Sequence, residues 1–187
     1  MRQPEGSEAV VVARPAVEDA SASSGLAFDS FYGAHRDRVG RCLALTLGDA
    51  TLGFEAADEA MVRAFERWED IRGGPNPSGW VYRTGLNWAR SWLRRRKRSV
   101  EKGPWLVSAN VVDAPVVDTD LNEALAQLSE DHRAVVVLRY FLDWSVEQTA
   151  DALEVSPGTV KSRLSRALDH LERRLDPPAG TEEGTAR

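Results

Sequence analysis

With one cysteine, Cys42, in 187 residues, the chain can form neither an internal disulfide nor a multi-cysteine zinc site. Histidine is almost as scarce: His35, His132 and His170 are scattered, without the spacing that puts two imidazoles on one metal. No apolar run is long enough to cross a bilayer. The Ala9–Ala13 stretch is too short for the core of a signal peptide and is broken by Arg14-Pro15, so a cytoplasmic setting without membrane insertion is expected. A glycine-rich phosphate loop, a paired-histidine helix and a nucleophile–base signature are all missing, which argues against an enzyme and predicts no cofactor. No segment alternates as a strand must, and no internal repeat is present.

What the chain does have is charge sorted by position. The net charge is -5, yet residues 27–100 carry 13 Lys+Arg against 9 Asp+Glu, and the segments around them are acidic. Five consecutive basic residues, Arg94 to Arg98, close a tryptophan-rich segment within that basic block. A chain repelled by nucleic acid as a whole can still present local faces that attract it.

The first 26 residues lack periodicity and read as a disordered arm. A helix follows from about Phe28, with Phe28, Phe31, Tyr32, His35, Val39, Cys42 and Leu43 at three- and four-residue steps, ending near Gly48. A second helix carries Phe54, Ala57, Met61, Phe65 and Trp68 on one stripe and stops at Arg72-Gly73-Gly74-Pro75-Asn76-Pro77. Ser78 is the expected cap of a third, running to about Arg98. Residues 99–119 have the composition of a linker. Three helices are then expected: one capped by Ser129, one opened by the capping box Ser145-Val146-Glu147-Gln148, and one opened by Ser156-Pro157. The tail from 177 to 187 reads as disordered.

The last two helices, joined by a tight turn at Glu154-Val155-Ser156, have the form of a DNA reader. Val160, Leu164, Ala167, Leu168 and Leu171 make a packing face, and Gly158, Ser162, Ser165 and Arg166, flanked by Lys161 and Arg163, make a polar one. A recognition helix needs this division to be packed on one side while reading a major groove with the other. In the third helix Trp80, Arg83, Asn87, Arg90, Ser91 and Arg94 share a face opposite Val81, Tyr82, Leu86, Trp88, Trp92 and Leu93. An aromatic among cations suits unstacked bases and their backbone. The middle helix presents Glu55, Glu59, Arg63, Glu66 and Asp70, a mostly acidic face that should repel DNA and could receive a protein partner. On these residues alone, a regulator that binds operators without polymerase also explains the downstream helices. It leaves the Trp80–Arg98 helix without a role.

Two strings, Gly79-Trp80-Val81-Tyr82-Arg83-Thr84-Gly85-Leu86-Asn87-Trp88-Ala89 and Leu128-Ser129-Glu130-Asp131 continuing through Leu138-Arg139-Tyr140 to Val160–Ala167, resemble the extracytoplasmic-function group of bacterial RNA polymerase sigma factors. The resemblance implies an all-α fold of two small helical domains joined by a flexible linker: a region 2-like bundle over 27–98 and a region 4-like helix-turn-helix over 120–176. It implies that Arg72, Asn76, Trp80, Tyr82, Arg83, Asn87, Arg90, Ser91, Arg94 and Arg95 serve the promoter −10 element, the Arg72–Ser78 loop pocketing a flipped base. Gly158, Thr159, Lys161, Ser162, Arg163, Ser165 and Arg166 would serve the −35 element. Glu55, Asp58, Glu59, Arg63, Glu66 and Arg67 would bind core RNA polymerase at the clamp coiled coil of its largest subunit, with the flap of the second-largest subunit as a further contact. Promoter DNA is thus an expected partner, and family members are often held inactive by an anti-sigma protein, though no motif here identifies one. The chain departs from the family pattern at Val62-Arg63, where Gln-Glu is usual, at Ser91, where some members have a second asparagine, and at Asp143, which replaces a common glycine.

Overall fold

A computed structural model describes residues 17–100 and 119–175, and these form eight helices with no strand among them. The expected all-α class is therefore the observed one. The upstream half consists of α1 (Val17–Leu47), α2 (Ala50–Glu66), the single-turn α3 (Trp68–Ile71) and α4 (Pro77–Val100); the downstream half consists of α5 (Thr119–Ala126), α6 (Glu130–Tyr140), α7 (Val146–Leu153) and α8 (Pro157–Leu175). The proposed linker, apart from its ends, and the C-terminal tail lie outside the described residues, as does most of the N-terminal arm.

Local chemistry sets most of the boundaries. Asp49 caps α2 by accepting from the Leu52 amide at 2.9 Å. Ser129 caps α6, and Ser145 and Gln148 close a complete capping box on α7. At α8, Ser156 Oγ accepts from the Thr159 amide at 3.1 Å with Pro157 in the first helical position. The α4 start differs from the expected cap. Asn76 Oδ1 accepts from the Gly79 amide at 2.8 Å, so Asn76 is the cap and Ser78 already lies in the helix. Pro77 decides this, because its fixed φ and missing N–H suit the first helical position and put the cap on the residue before it, two upstream of Ser78.

Three further boundaries were not legible. Helix α1 starts at Val17, inside the segment read as an arm. The short helices α3 and α5 have too few turns to show a period.

The upstream core sits where α1 and α4 pack on α2, around Val39, Leu43, Ala56, Ala60, Met61, Val81, Tyr82 and Leu86. Burial pushes the Cys42 thiol up to about 12, so Cys42 acts here as a small apolar group. His35 stacks near Phe31 and is lowered by burial and by Arg38, which keeps it neutral at pH 7. The downstream core forms where α5, α6 and α7 meet α8, around Val135, Leu138, Ala150, Val160 and Ala167. Three stripe residues are less buried than their period implied: Phe65, Leu93 and Leu168 are exposed, at 59%, 38% and 37%.

The turns between α6 and α8 carry backbone strain at two residues. Asp143 has φ 56° and Glu154, the C-cap of α7, has φ 54°, both in the left-handed region that favours glycine. The glycine common in the family at the Asp143 position thus has a conformational reason. Because Asp143 is exposed, Asp143→Gly should stabilise the fold by about 0.5–1 kcal/mol. Thermal unfolding would show it as a rise of a few degrees in Tm, and an unchanged or lower Tm would contradict it.

Candidate nucleic-acid interface

Helix α8 packs through Val160, Ala167 and Leu171, and this leaves Gly158, Lys161, Ser162, Ser165 and Arg166 exposed on the far side. Ser162 Oγ donates to the Thr159 carbonyl at 3.0 Å, an arrangement that holds the hydroxyl against its own helix. Thr159 and Arg163 are only partly exposed. Thr159 Oγ1 lies 2.9 Å from Ser156 Oγ, and the Arg163 guanidinium donates to Asp131 Oδ2 at 2.6 Å.

Along α4 the expected base-facing residues divide. Asn87, Arg94 and Arg95 are exposed, and Arg94 donates to Ser91 Oγ at 2.9 Å. Tyr82 is placed differently: it is 0% exposed, its hydroxyl lies 2.8 Å from Thr46 Oγ1, and its ring meets Trp144 edge-on. Tyr82 is a core residue and offers nothing to DNA. It follows Trp80 by two positions, which turns it about 200° around the helix, toward Thr46 of α1 and Trp144.

Trp80 is half-buried, with one side against the core and the Arg67 guanidinium 5.9 Å from its ring centroid. It borders a cleft of about 520 Å³ lined by Arg67, Asp70, Asn76, Trp80, Arg83 and Asp151 among others. The Arg72–Ser78 loop forms one wall. In that wall Asn76 uses Oδ1 for the helix cap while its buried Nδ2 has no partner among the described residues. Arg72 is exposed and pairs with Glu69 at 2.9 Å.

The cleft's opposite wall comes from the downstream half. Helix α6 lies along α1 and α7 along α4, joined by apolar contacts and by ion pairs. Arg83 pairs with Glu154 at 2.9 Å, and Arg90 pairs with Glu130 at 2.6 Å and Asp131 at 3.1 Å. Arg38 donates to the Leu142 carbonyl at 3.1 Å.

The acidic helix α2 combines charge with exposed apolar surface. Asp58 accepts two bonds from Arg36, each 2.7 Å, and Glu59 pairs with Arg63 at 2.7 Å, while Glu55, Glu66 and Arg67 are exposed. Between these charges Val62 is 58% exposed, and Phe65 leans edge-on against Phe28. With Tyr32 and Met61 they line a shallow groove edged by Asp29 and Asp58. Periodicity alone assigns Phe65 to the core. Its exposure, beside Val62, leaves an apolar patch among the charges of this face.

Residues 119–171 match the family described as sigma-70, region 4. Over 163 residues the chain is 31% identical to the ECF RNA polymerase sigma factor SigL of Mycobacterium tuberculosis, covering 83% of this chain and 92% of that one. It is 32% identical over 154 residues to an RNA polymerase sigma-E factor of Streptomyces avermitilis, covering 81% and 86%. The chain belongs to the ECF RNA polymerase sigma factors.

The fold of this ECF sigma factor agrees with solved structures at lower identity. It superposes on the sigma factor RpoE of Bartonella quintana, solved with the anti-sigma factor NepR, with a TM-score of 0.71 at 22% identity, covering 81% of this chain and 98% of RpoE. For CnrH, solved with the cytosolic domain of CnrY, the TM-score is 0.59 at 20% identity, with 87% and 96% covered. Among the described residues of this sigma factor no cluster of His, Cys, Asp or Glu could hold a metal ion, and no helix is long and apolar enough to cross a membrane.

Proposed function

We propose that this ECF sigma factor binds core RNA polymerase and directs initiation at promoters by reading a −35 element with α8 and capturing melted −10 bases with α4 and the Arg72–Ser78 loop. The observation that carries the proposal is the pairing of two separate surfaces on one chain. One is the exposed polar side of α8, with Gly158 at its start allowing close approach and Lys161 and Arg166 supplying charge. The other is the cleft beside Trp80, where an aromatic face, Arg67 and Arg83 converge.

Each surface meets a different physical need. The −35 element stays duplex, so its bases are read from the major groove by a helix that is rigidly packed behind. The −10 bases must leave the stack, at a cost of a few kcal/mol per base, and an aromatic surface with a polar pocket offsets it. Nothing covalent is required of the protein. Helix α2 then serves polymerase, its acids rejecting DNA while Val62 and Phe65 add an apolar centre to the contact.

Run-off transcription with purified core polymerase and a genomic fragment library tests the whole reading. New start sites sharing upstream sequence are expected, whereas core polymerase starting no new transcript would refute it. Tight operator-like binding by the chain alone, without polymerase, would favour the regulator reading instead. A second test isolates Trp80. Because stacking contributes about 1–3 kcal/mol per base, Trp80→Ala should slow open-complex formation roughly tenfold or more, with less effect on closed-complex binding. Trp80→Tyr, which keeps a ring, should retain most of the rate. Unchanged permanganate reactivity of −10 thymines in the alanine variant would remove Trp80 from this role.

A further inference from the structure

Four carboxylates from the downstream half face the proposed −10 surface. Glu130 and Asp131 bind Arg90, Glu154 binds Arg83, and Asp151 stands in the wall of the Trp80 cleft. Asp131 is the most telling of them. Its Oδ1 accepts from Arg90 of α4 at 3.1 Å and its Oδ2 from Arg163 of α8 at 2.6 Å, so one carboxylate ties together the helices proposed to read −10 and −35. Glu130 and Asp131 also occupy the first turn of α6, where the helix dipole favours negative charge.

We infer that Glu130, Asp131 and Glu154 act as an internal stand-in for promoter phosphates, closing the downstream half over α4 so that DNA must displace them to reach Arg83 and Arg90. The inference rests on the proposed assignment of α4 to DNA, but the closure itself does not. A strand lying on this face of α4 would occupy the space now filled by α7, since the cleft's far wall contains Asp151 and Ala152. The same arginines cannot pair fully with phosphate and with these acids at once. DNA binding and closure are therefore competing states of one surface, and an event that separates the halves raises DNA affinity.

The latch is weak enough to open. Its pairs are partly solvated, with side-chain exposures of 31% to 66% in the three partners of Arg83 and Arg90 and in those arginines themselves, so salt screens them. Beneath them lies the apolar contact of Tyr82 with Trp144, which salt does not weaken. Closure should thus be adjustable by charge and completed by packing.

The test uses the full chain carrying Glu130→Gln and Asp131→Asn. Small-angle X-ray scattering at low salt should give a larger radius of gyration for the variant than for the wild type, and raising the salt should expand the wild type toward it. Affinity for a short −10 fork DNA should rise roughly three- to tenfold in the variant. Asp169→Asn with Glu172→Gln removes the same two charges from exposed positions on α8 and should change neither reading by as much. In a second set of variants Arg90→Glu should open the chain, and adding Glu130→Arg should close it again, which a simple folding defect would not do. An unchanged radius in both sets would overturn the latch. Opening without a gain in DNA affinity would leave the latch standing and refute the assignment of Arg90 to DNA.

Discussion

Gly53→Ala is expected to destabilise the protein by about 3 kcal/mol, at the upper end of the usual cost of overpacking. A Cβ at Gly53 would lie 2.3 Å from the Ala44 amide nitrogen and 2.4 Å from its Cα. Both are backbone atoms of α1, so no rotamer change can relieve the contact, and the two helices must separate. Separation loosens everything the α1–α2 pair supports, including Met61, Leu43 and the floor under Tyr82. Gly33 on α1 provides the control, since a Cβ there meets nothing within 4 Å. Gly33→Ala should therefore stabilise by about 0.5–1 kcal/mol through helix propensity alone. Thermal melts should thus move in opposite directions for the same chemical change. A Gly53→Ala protein that melts at the wild-type temperature would show that α1 and α2 do not approach this closely.

That contrast also marks what the sequence could and could not disclose. Both glycines lie inside helical patterns and look alike in one dimension; only the crossing of α1 and α2 distinguishes them. Features fixed by neighbouring residues were legible: the caps Ser129, Ser145 with Gln148, and Ser156-Pro157 are governed by bonds spanning three residues. So was the division of α8 into a packed and an exposed side, because a period of 3.6 carries it.

Features fixed by distant residues were not. Phe65 matches the apolar stripe of α2, yet α1 meets it through the edge of Phe28 and leaves it 59% exposed. Tyr82 is the reverse case: the period of α4 already set it on the packing face with Val81 and Leu86, and its contacts with Thr46 and Trp144 remove the −10 role that the resemblance implied. Arg83 and Arg90 appeared as free cations because their partners, Glu154, Glu130 and Asp131, are at least 40 residues away in sequence. Counting charge along the chain cannot reveal which charges neutralise one another in space. The cleft beside Trp80 is legible only in part for the same reason: its loop wall was visible as Arg72–Ser78, but its far wall comes from α7.

Arg166→Ala should weaken −35-dependent transcription by roughly tenfold or more while leaving polymerase binding intact. Arg166 is exposed on the side of α8 opposite Val160 and Ala167, and Ser162, one turn earlier, holds its hydroxyl against the helix, leaving space for a longer side chain to reach outward. An arginine that reads a base edge with two donors contributes about 1–3 kcal/mol of discrimination; one that meets only phosphate shifts affinity evenly across sequences and reduces the salt slope by about one. The two roles separate in a single experiment. Run-off rates would be compared on promoters sharing one −10 element, with the matched −35 sequence or a scrambled one. If Arg166 reads bases, the variant loses rate on the matched promoter and little on the scrambled one, so the ratio between them collapses. If it only holds phosphate, both rates fall and the ratio survives. Arg173→Ala, two turns further along the same helix and engaged with the Asp169 carbonyl at 2.9 Å, should leave both rates near wild type. Equal rates for Arg166→Ala and wild type on the matched promoter would remove this side of α8 from promoter recognition altogether.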